Sequence, residues 1–179
     1  LMKERKIMPF DKKFVPALRF AVMSDIHIDD EDCIEEQRFA KALDDLKNLC
    51  SSDERYSGFD ALVIVGDFAS RGSEIQMRKV KKILDAGLPA DVRLIMTMAS
   101  HEYMTDGEEN ALRRFDEIFG LTPDTHAVIN GFDFIAVTTT GGCHFDEKKR
   151  GFVSAELEKA AERDGKKPIF FFQHPHITD

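Results

Sequence analysis

The chain has 179 residues, a formal net charge of −8 and 42% hydrophobic residues. Its length suffices for one domain with its own core, whereas its acidity argues against a nucleic-acid-binding surface. No apolar run approaches the about 20 residues of a membrane span, and no signal-peptide core follows the N-terminal residues. The three cysteines are too widely spaced for a zinc knuckle or a disulfide framework. We therefore expect a cytoplasmic protein with neither nucleic-acid nor membrane partners.

Strand-like and helix-like apolar patterns alternate along the chain. Strands are predicted at residues 18–24, 61–65, 92–98, 126–129 and 132–138, and from 169 onward. Helices are predicted from the acidic run 29–32, at 75–86 and 106–119, and from Ser154 as an N-cap. The acidic run would stabilise the positive end of its helix, with a substrate or metal role as the alternative. Asn130-Gly131 indicates a hairpin, and the element order predicts a layered α/β domain.

Four of the predicted strands end in residues that bind metals or protons. In chain order these are Asp25 and His27, then Gly66-Asp67, then Ser100-His101-Glu102, and finally Gln173-His174-Pro175-His176. Open α/β sheets bind ligands at the edge where the carboxyl ends of their strands meet. The sequence therefore predicts a metal site at that edge.

The first two motifs have the chemistry of such a site. Asp25 and His27 are two residues apart and would point to the same side of a strand. A carboxylate with an imidazole suits Mn, Fe or Zn better than Ca, although a loop carboxylate beside a hydrogen-bonded histidine is an alternative. The oxygens of Asp67 could bridge two cations about 3.5–4 Å apart, or Asp67 could cap the next turn.

Together these motifs resemble the calcineurin-like metallophosphoesterases. The blocks of that family are Asp-x-His, Gly-Asp-x-x-x-x-Gly, Gly-Asn-His-Glu or Asp, a lone His after a strand, and Gly-His-x-His. The first two are intact as Asp25-Ile26-His27 and as residues 66–72. The resemblance implies a four-layer αββα sandwich over residues 18–179, after an N-terminal segment of residues 1–17. It also implies that Asp25 and His27 bind the first metal and that Asp67 bridges both metals.

The third block departs from the family pattern. Ser100 stands at the position of the Asn that binds the second metal, and Ala99 replaces the Gly before it. The resemblance therefore implies weaker binding of the second metal through Ser100, and Ala99 would strain the turn if a positive φ were required there. His101 is retained, and its implied catalytic role is to donate a proton or hydrogen bond to the leaving oxygen.

The last motif allows two alignments. We prefer His174 as the lone histidine that binds the second metal, because its strand follows a helix as in the family; the alternative takes His174 and His176 as the terminal Gly-His-x-His pair. In the preferred alignment that pair is absent, the domain is incomplete at its C-terminus, and His176 is a substrate neighbour or a surface residue. Arg71 is either a phosphate contact or a solvated side chain.

The resemblance implies a metal-dependent phosphoesterase. Two divalent ions, Mn, Fe or Zn, would activate a water that hydrolyses a small-molecule phosphomonoester or phosphodiester. Because of Ser100 and the absent histidine pair, the alternative is a catalytically weak or inactive binding or scaffold module with the same fold. A mononuclear site made of Asp25, His27 and Asp67 is a third hypothesis.

Overall fold

The structure is a computed structural model that describes residues 14–139, 145–163 and 167–175. The strands in these ranges are β1 (Phe20–Met23), β2 (Ala61–Val65), β3 (Arg93–Thr97), β4 (Thr125–Ile129), β5 (Phe132–Ala136) and β6 (Ile169–Phe172). The helices are α1 (Ile34–Ser51), α2 (Glu74–Gly87), α3 (Glu108–Phe119) and α4 (Glu147–Ala161), with a short 3₁₀ helix at Ser100–Tyr103. The predicted order of strands and helices is confirmed.

The strands form two three-stranded sheets within the described residues. The first has the order β1-β2-β3 and is wholly parallel, with β2 in the middle. In the second, of order β4-β5-β6, the antiparallel β4–β5 hairpin turns at Asn130-Gly131 and β6 pairs with β5 in parallel. Because the first sheet is parallel, the loops that follow β1, β2 and β3 all leave from the same edge.

Strand β2 is buried on both faces, as its unbroken apolar sequence predicts. Leu62 and Ile64 belong to the core shared with helices α1, α2 and α3. Ala61, Val63 and Val65 belong to a second core, which the first sheet shares with the second sheet. Helix α4 contacts β5 of the second sheet. The predicted αββα arrangement of four layers is therefore confirmed.

Phenylalanine rings pack between the two sheets and fix β6 beside β1. The ring of Phe20 lies 4.8 Å from that of Phe170 and 5.0 Å from that of Phe134, both edge-on. The rings of Phe134 and Phe172 are stacked 5.8 Å apart. This packing brings the end of β6, and with it His174, to the edge of the first sheet where β1 and β2 end.

A buried polar cluster joins the second sheet to α4. His126 lies with Nε2 2.7 Å from a carboxylate oxygen of Asp133 and Nδ1 2.6 Å from one of Glu156. Arg163 donates to Asp133 at 3.1 Å. Hydrogen bonds from Lys159 and from His126 lower the pKa of Glu156. Since residues of β4, β5 and α4 all contribute, His126 joins the second sheet to the helix that covers it.

The predicted start of α1 is wrong. The helix begins at Ile34, with Cys33 as N-cap, and the acids of its first turn are Glu35 and Glu36. The acidic run 29–32 lies in the preceding loop, where the carboxylate of Asp29 accepts the backbone N–H of Asp30 at 2.7 Å. Hydrogen bonding within the loop replaces the expected interaction with the helix end.

The predicted start of α4 is also wrong. Asp146 is the N-cap and accepts the backbone N–H of Lys149 at 2.7 Å, which places Ser154 inside the helix. A carboxylate at an N-cap satisfies an otherwise unpaired N–H as well as a serine does, so the upstream cap prevails. Among the helices of the described ranges, none is long and apolar enough to cross a membrane.

Candidate metal centre

The predicted ligands lie on loops with an unusual backbone conformation. Asp25, His27 and Asp67 have φ values of 55°, 54° and 50°, and the other non-glycine residue with positive φ in the described ranges is Asn130 of the hairpin turn. A left-handed conformation costs a non-glycine residue about 1–2 kcal/mol. Such strain concentrates at functional sites, where the surrounding structure holds it in place.

Backbone hydrogen bonds hold the loops after β1 and β2 side by side. The N–H of His27 donates to the carbonyl of Asp67 at 3.0 Å, and that of Asp25 donates to Gly66 at 3.4 Å. One step further, Ile28 donates to Phe68 at 3.0 Å. The side chains of the first two motifs therefore project from loops that are tied together rather than free to separate.

A buried carboxylate organises the loops after β2 and β3. Glu102 is fully buried and accepts the backbone N–H groups of Asp67 at 2.9 Å, Ala69 at 3.0 Å and Ala99 at 2.8 Å. Burial raises the pKa of Glu102 to about 7, against the opposing effect of these three hydrogen bonds. The sequence motifs assigned no separate role to Glu102. The sequence signal for its importance was its position directly after His101 in the third motif.

Two glycines permit a close approach that a larger residue would prevent. Gly66 has φ 68°, and a Cβ there would lie 2.6 Å from Cβ of Ala99 and 3.0 Å from Cβ of His174. Gly72 has φ 72°, and a Cβ there would lie 1.9 Å from the carbonyl oxygen of Glu102. The glycines of the Gly-Asp-x-x-x-x-Gly motif therefore let the loops after β3 and β6 pack directly against the loop after β2.

One group of candidate ligands contains Asp25, Asp67 and His174. One ligand atom from each lies within 4.8 Å of the other two. Nε2 of His174 is 3.2 Å from Oδ2 of Asp67 and 4.0 Å from Oδ1 of Asp25. The end of β6 therefore brings its histidine to the carboxylates that follow β1 and β2.

A second group contains His27, Asp67 and His101. Their ligand atoms also lie within 4.8 Å of one another, and the rings of His27 and His101 meet edge-on with centroids 4.6 Å apart. Asp67 belongs to both groups. Because carboxylate oxygens and imidazole nitrogens are the donors that Zn, Mn and Fe accept, both groups fit a divalent ion of this kind.

The rings of two of these histidines are oriented by backbone carbonyls. Nδ1 of His101 lies 2.7 Å from the carbonyl oxygen of Ser70, and Nδ1 of His174 lies 2.8 Å from that of Val65. A carbonyl oxygen only accepts, so each Nδ1 carries the proton. That arrangement leaves Nε2 of each ring to bind a metal ion, as in metal-binding histidines whose other ring nitrogen donates to a carbonyl.

The remaining predicted site residues are Ser100, Arg71 and His176. Ser100 is exposed and begins the 3₁₀ helix. The expected strain at Ala99 is not found, because its φ of −135° is ordinary extended backbone. Arg71 is exposed, and its backbone N–H donates to the side chain of Gln76 at 2.9 Å. His176 lies outside the described residues.

Comparison with known proteins assigns the family. The profile of the calcineurin-like phosphoesterases matches residues 18–178. The chain therefore belongs to the calcineurin-like phosphoesterase family, as its motifs predicted. A search of curated proteins gives no match.

Proposed function

We propose that this protein is a binuclear metal-dependent phosphoesterase that hydrolyses small phosphate esters. The observation that carries the proposal is the position of Asp67, whose carboxylate belongs to both groups of candidate ligands. A carboxylate shared by two ions about 3.5–4 Å apart is a recurrent arrangement in enzymes that cleave phosphate esters. Family membership supports the same reaction class.

Two bound divalent ions, with Mn, Fe and Zn as the candidates, would supply an activated water and neutralise charge on the phosphoryl oxygens. The residues contribute a rigid frame for that chemistry. Asp67 is held by Glu102 through its backbone N–H, and it accepts the N–H of His101 on Oδ1 at 3.2 Å. Its other oxygen, Oδ2, faces His174. The two oxygens of Asp67 are therefore directed at different neighbours.

An open cavity provides space for a substrate next to these ligands. It measures about 800 Å³ and is bordered by Asp25 and His27. Apolar side chains, including Met23 and Phe39, also line it. This volume suits a small organic phosphate ester, and the net charge of −8 disfavours a long nucleic acid.

The test starts from metal-free protein equilibrated with excess Mn²⁺ and freed of unbound ion. We expect two ions per chain and hydrolysis of p-nitrophenyl phosphate or of bis(p-nitrophenyl) phosphate; the relative rates on these two probes distinguish a monoesterase from a diesterase. Asp67→Asn should reduce binding and hydrolysis by more than about 100-fold, since even residues behind metal ligands contribute about 10–100-fold. Asp44→Asn, an exposed aspartate of α1, is the matched control.

The scaffold alternative predicts a different outcome. Two bound ions without hydrolysis of either probe would contradict the proposed activity and favour a binding module. One ion per chain, without hydrolysis, would favour a mononuclear site.

A further inference from the structure

We infer that the substrate is a phosphodiester whose two organic groups occupy two cavities, one on each side of β1. The inference deepens the proposed function, on which it rests, by naming the class of ester. The larger cavity is the one of about 800 Å³ that Asp25 and His27 border. A smaller cavity of about 430 Å³ is lined by residues of β1, β2 and β6 and is bordered by His174.

Strand β1 separates the two cavities. Val22 and Ser24, at its end, line both of them. Met23 lines the larger cavity and packs against the core that the first sheet shares with the helices. Phe172 lines the smaller cavity and packs against the core between the two sheets. The larger cavity therefore opens on the helix side of β1, and the smaller cavity opens on the side of the second sheet.

One group of candidate ligands takes a residue from the wall of each cavity. Asp25 borders the larger cavity and His174 borders the smaller one. Their side chains nevertheless meet, with Nε2 of His174 4.0 Å from Oδ1 of Asp25, and both belong to one group with Asp67. A phosphate bound at this group therefore lies where the two cavities adjoin. The two ester oxygens of a diester leave phosphorus in different directions, so each can carry its organic group into one cavity.

The walls of both cavities suit organic groups better than a second negative charge. The apolar residues of the smaller cavity are Val22, Val65, Phe171, Phe172 and Pro175. The larger cavity has carboxylates on its wall, those of Asp25, Asp29 and Glu35, and its Arg38 already pairs with Glu35 at 3.5 Å. A phosphomonoester carries about 1.5 to 2 negative charges at neutral pH, whereas a diester carries a single one. Because like charges repel, these walls favour the diester.

The reaction on such a substrate consumes only water. The oxygen of water forms a bond to phosphorus, the bond from phosphorus to one ester oxygen breaks, and the departing oxygen takes a proton from the water. The products are an alcohol and a phosphomonoester. Because the cavities measure about 800 and about 430 Å³, we expect the two organic groups to differ in size, with the larger group on the side of Asp25 and His27.

The first measurement is calorimetric titration of the Zn²⁺-loaded wild type with diphenylphosphinate and with methylphenylphosphinate. Both compounds carry one negative charge, and neither can be hydrolysed, because their organic groups are attached through P–C bonds. We expect diphenylphosphinate to bind at least about tenfold more tightly, since the second cavity buries its second ring. Equal affinities, or binding of neither compound, would overturn the inference.

A variant then tests whether the second ring binds beside β1. Val22→Gln places a polar side chain where the two cavities adjoin, and the advantage of diphenylphosphinate should fall at least about threefold. Val22 is 51% exposed, so the fold should be retained, which thermal melts check. The matched control is Val128→Gln, at a 45% exposed position of β4, the opposite edge of the second sheet from β6. It should keep the full advantage, and an advantage that survives Val22→Gln would contradict the inference.

Hydrolysis by the Zn²⁺-loaded wild type is assayed separately. We expect kcat/KM for bis(p-nitrophenyl) phosphate to exceed that for p-nitrophenyl phosphate by at least about tenfold, and a preference for the monoester would overturn the inference. Tighter binding of diphenylphosphinate without hydrolysis of either probe would defeat the proposed activity while leaving the two cavities as a binding site for diesters.

Discussion

Replacing Glu102 with Gln tests whether this carboxylate holds the loops of the site together. Oε2 of Glu102 accepts from the N–H groups of Asp67 and Ala99, and Oε1 accepts from that of Ala69. Glutamine has nearly the same size but only one oxygen. If that oxygen keeps the two bonds of Oε2, the side-chain NH₂ group faces the N–H of Ala69, donor against donor.

The expected cost follows from counting the buried groups left without a partner. These are the N–H of Ala69 and the new side-chain NH₂ group, and each unpaired buried donor costs about 1–3 kcal/mol. We therefore expect Glu102→Gln to lower the free energy of unfolding by about 2–6 kcal/mol. That is a large part of the about 5–15 kcal/mol of a typical domain.

Urea unfolding of the metal-free protein measures this loss. Glu109→Gln, at an exposed position of α3, should change the free energy of unfolding by less than about 0.5 kcal/mol. A loss below about 1 kcal/mol for Glu102→Gln, or one equal to that of the control, would refute the idea that Glu102 organises the site.

Three further predictions concern pH, a glycine and the second sheet. Because burial raises the pKa of Glu102 from 4.5 to about 7, the folded state binds this proton more tightly than the unfolded state does. Urea unfolding of the metal-free wild type should therefore show a contribution to stability that is complete below pH 4.5 and is lost as the pH rises through about 7. In Glu102→Gln this pH-dependent contribution should vanish. A wild type whose stability instead increases as the pH rises would show that the three hydrogen bonds lower the pKa of Glu102 more than burial raises it. Gly72→Ala combines a left-handed φ with the 1.9 Å approach to the carbonyl of Glu102, so it should destabilise the protein by about 2–5 kcal/mol in thermal melts; Gly151→Ala, in open space on α4, should be neutral or stabilising. His126→Ala removes one partner from each of two buried carboxylates and should cost about 3 kcal/mol without changing the number of bound Zn²⁺ ions. A lost ion would contradict the separation of this cluster from the metal site.

The features that the sequence predicted correctly depend on local or periodic information. The five apolar residues Ala61–Val65 form the central strand because only a strand buried on both faces needs an unbroken apolar run. Asn130 and Gly131 form the hairpin turn because both readily adopt positive φ, here 50° and 78°. The two helix starts were predicted wrongly because the N-caps are Cys33, whose side chain makes no capping hydrogen bond, and Asp146, rather than the residues that the local pattern favoured.

At the candidate site, the sequence by itself determined which residues lie at the strand ends. Asp25, His27, Asp67, His101 and His174 each follow an apolar strand. The first four follow the parallel strands β1, β2 and β3, which deliver residues to one edge of their sheet. The family assignment required only these motifs in their order.

Only the tertiary structure decided how these residues are combined. The grouping of Asp25 with His174 and of His27 with His101 depends on left-handed loop residues and on the packing of β6 beside β1. The contact of His101 with Ser70 joins residues 31 positions apart. No periodic pattern encodes such contacts, because hydrogen-bond geometry between loops is set by the packing of the layers that carry them.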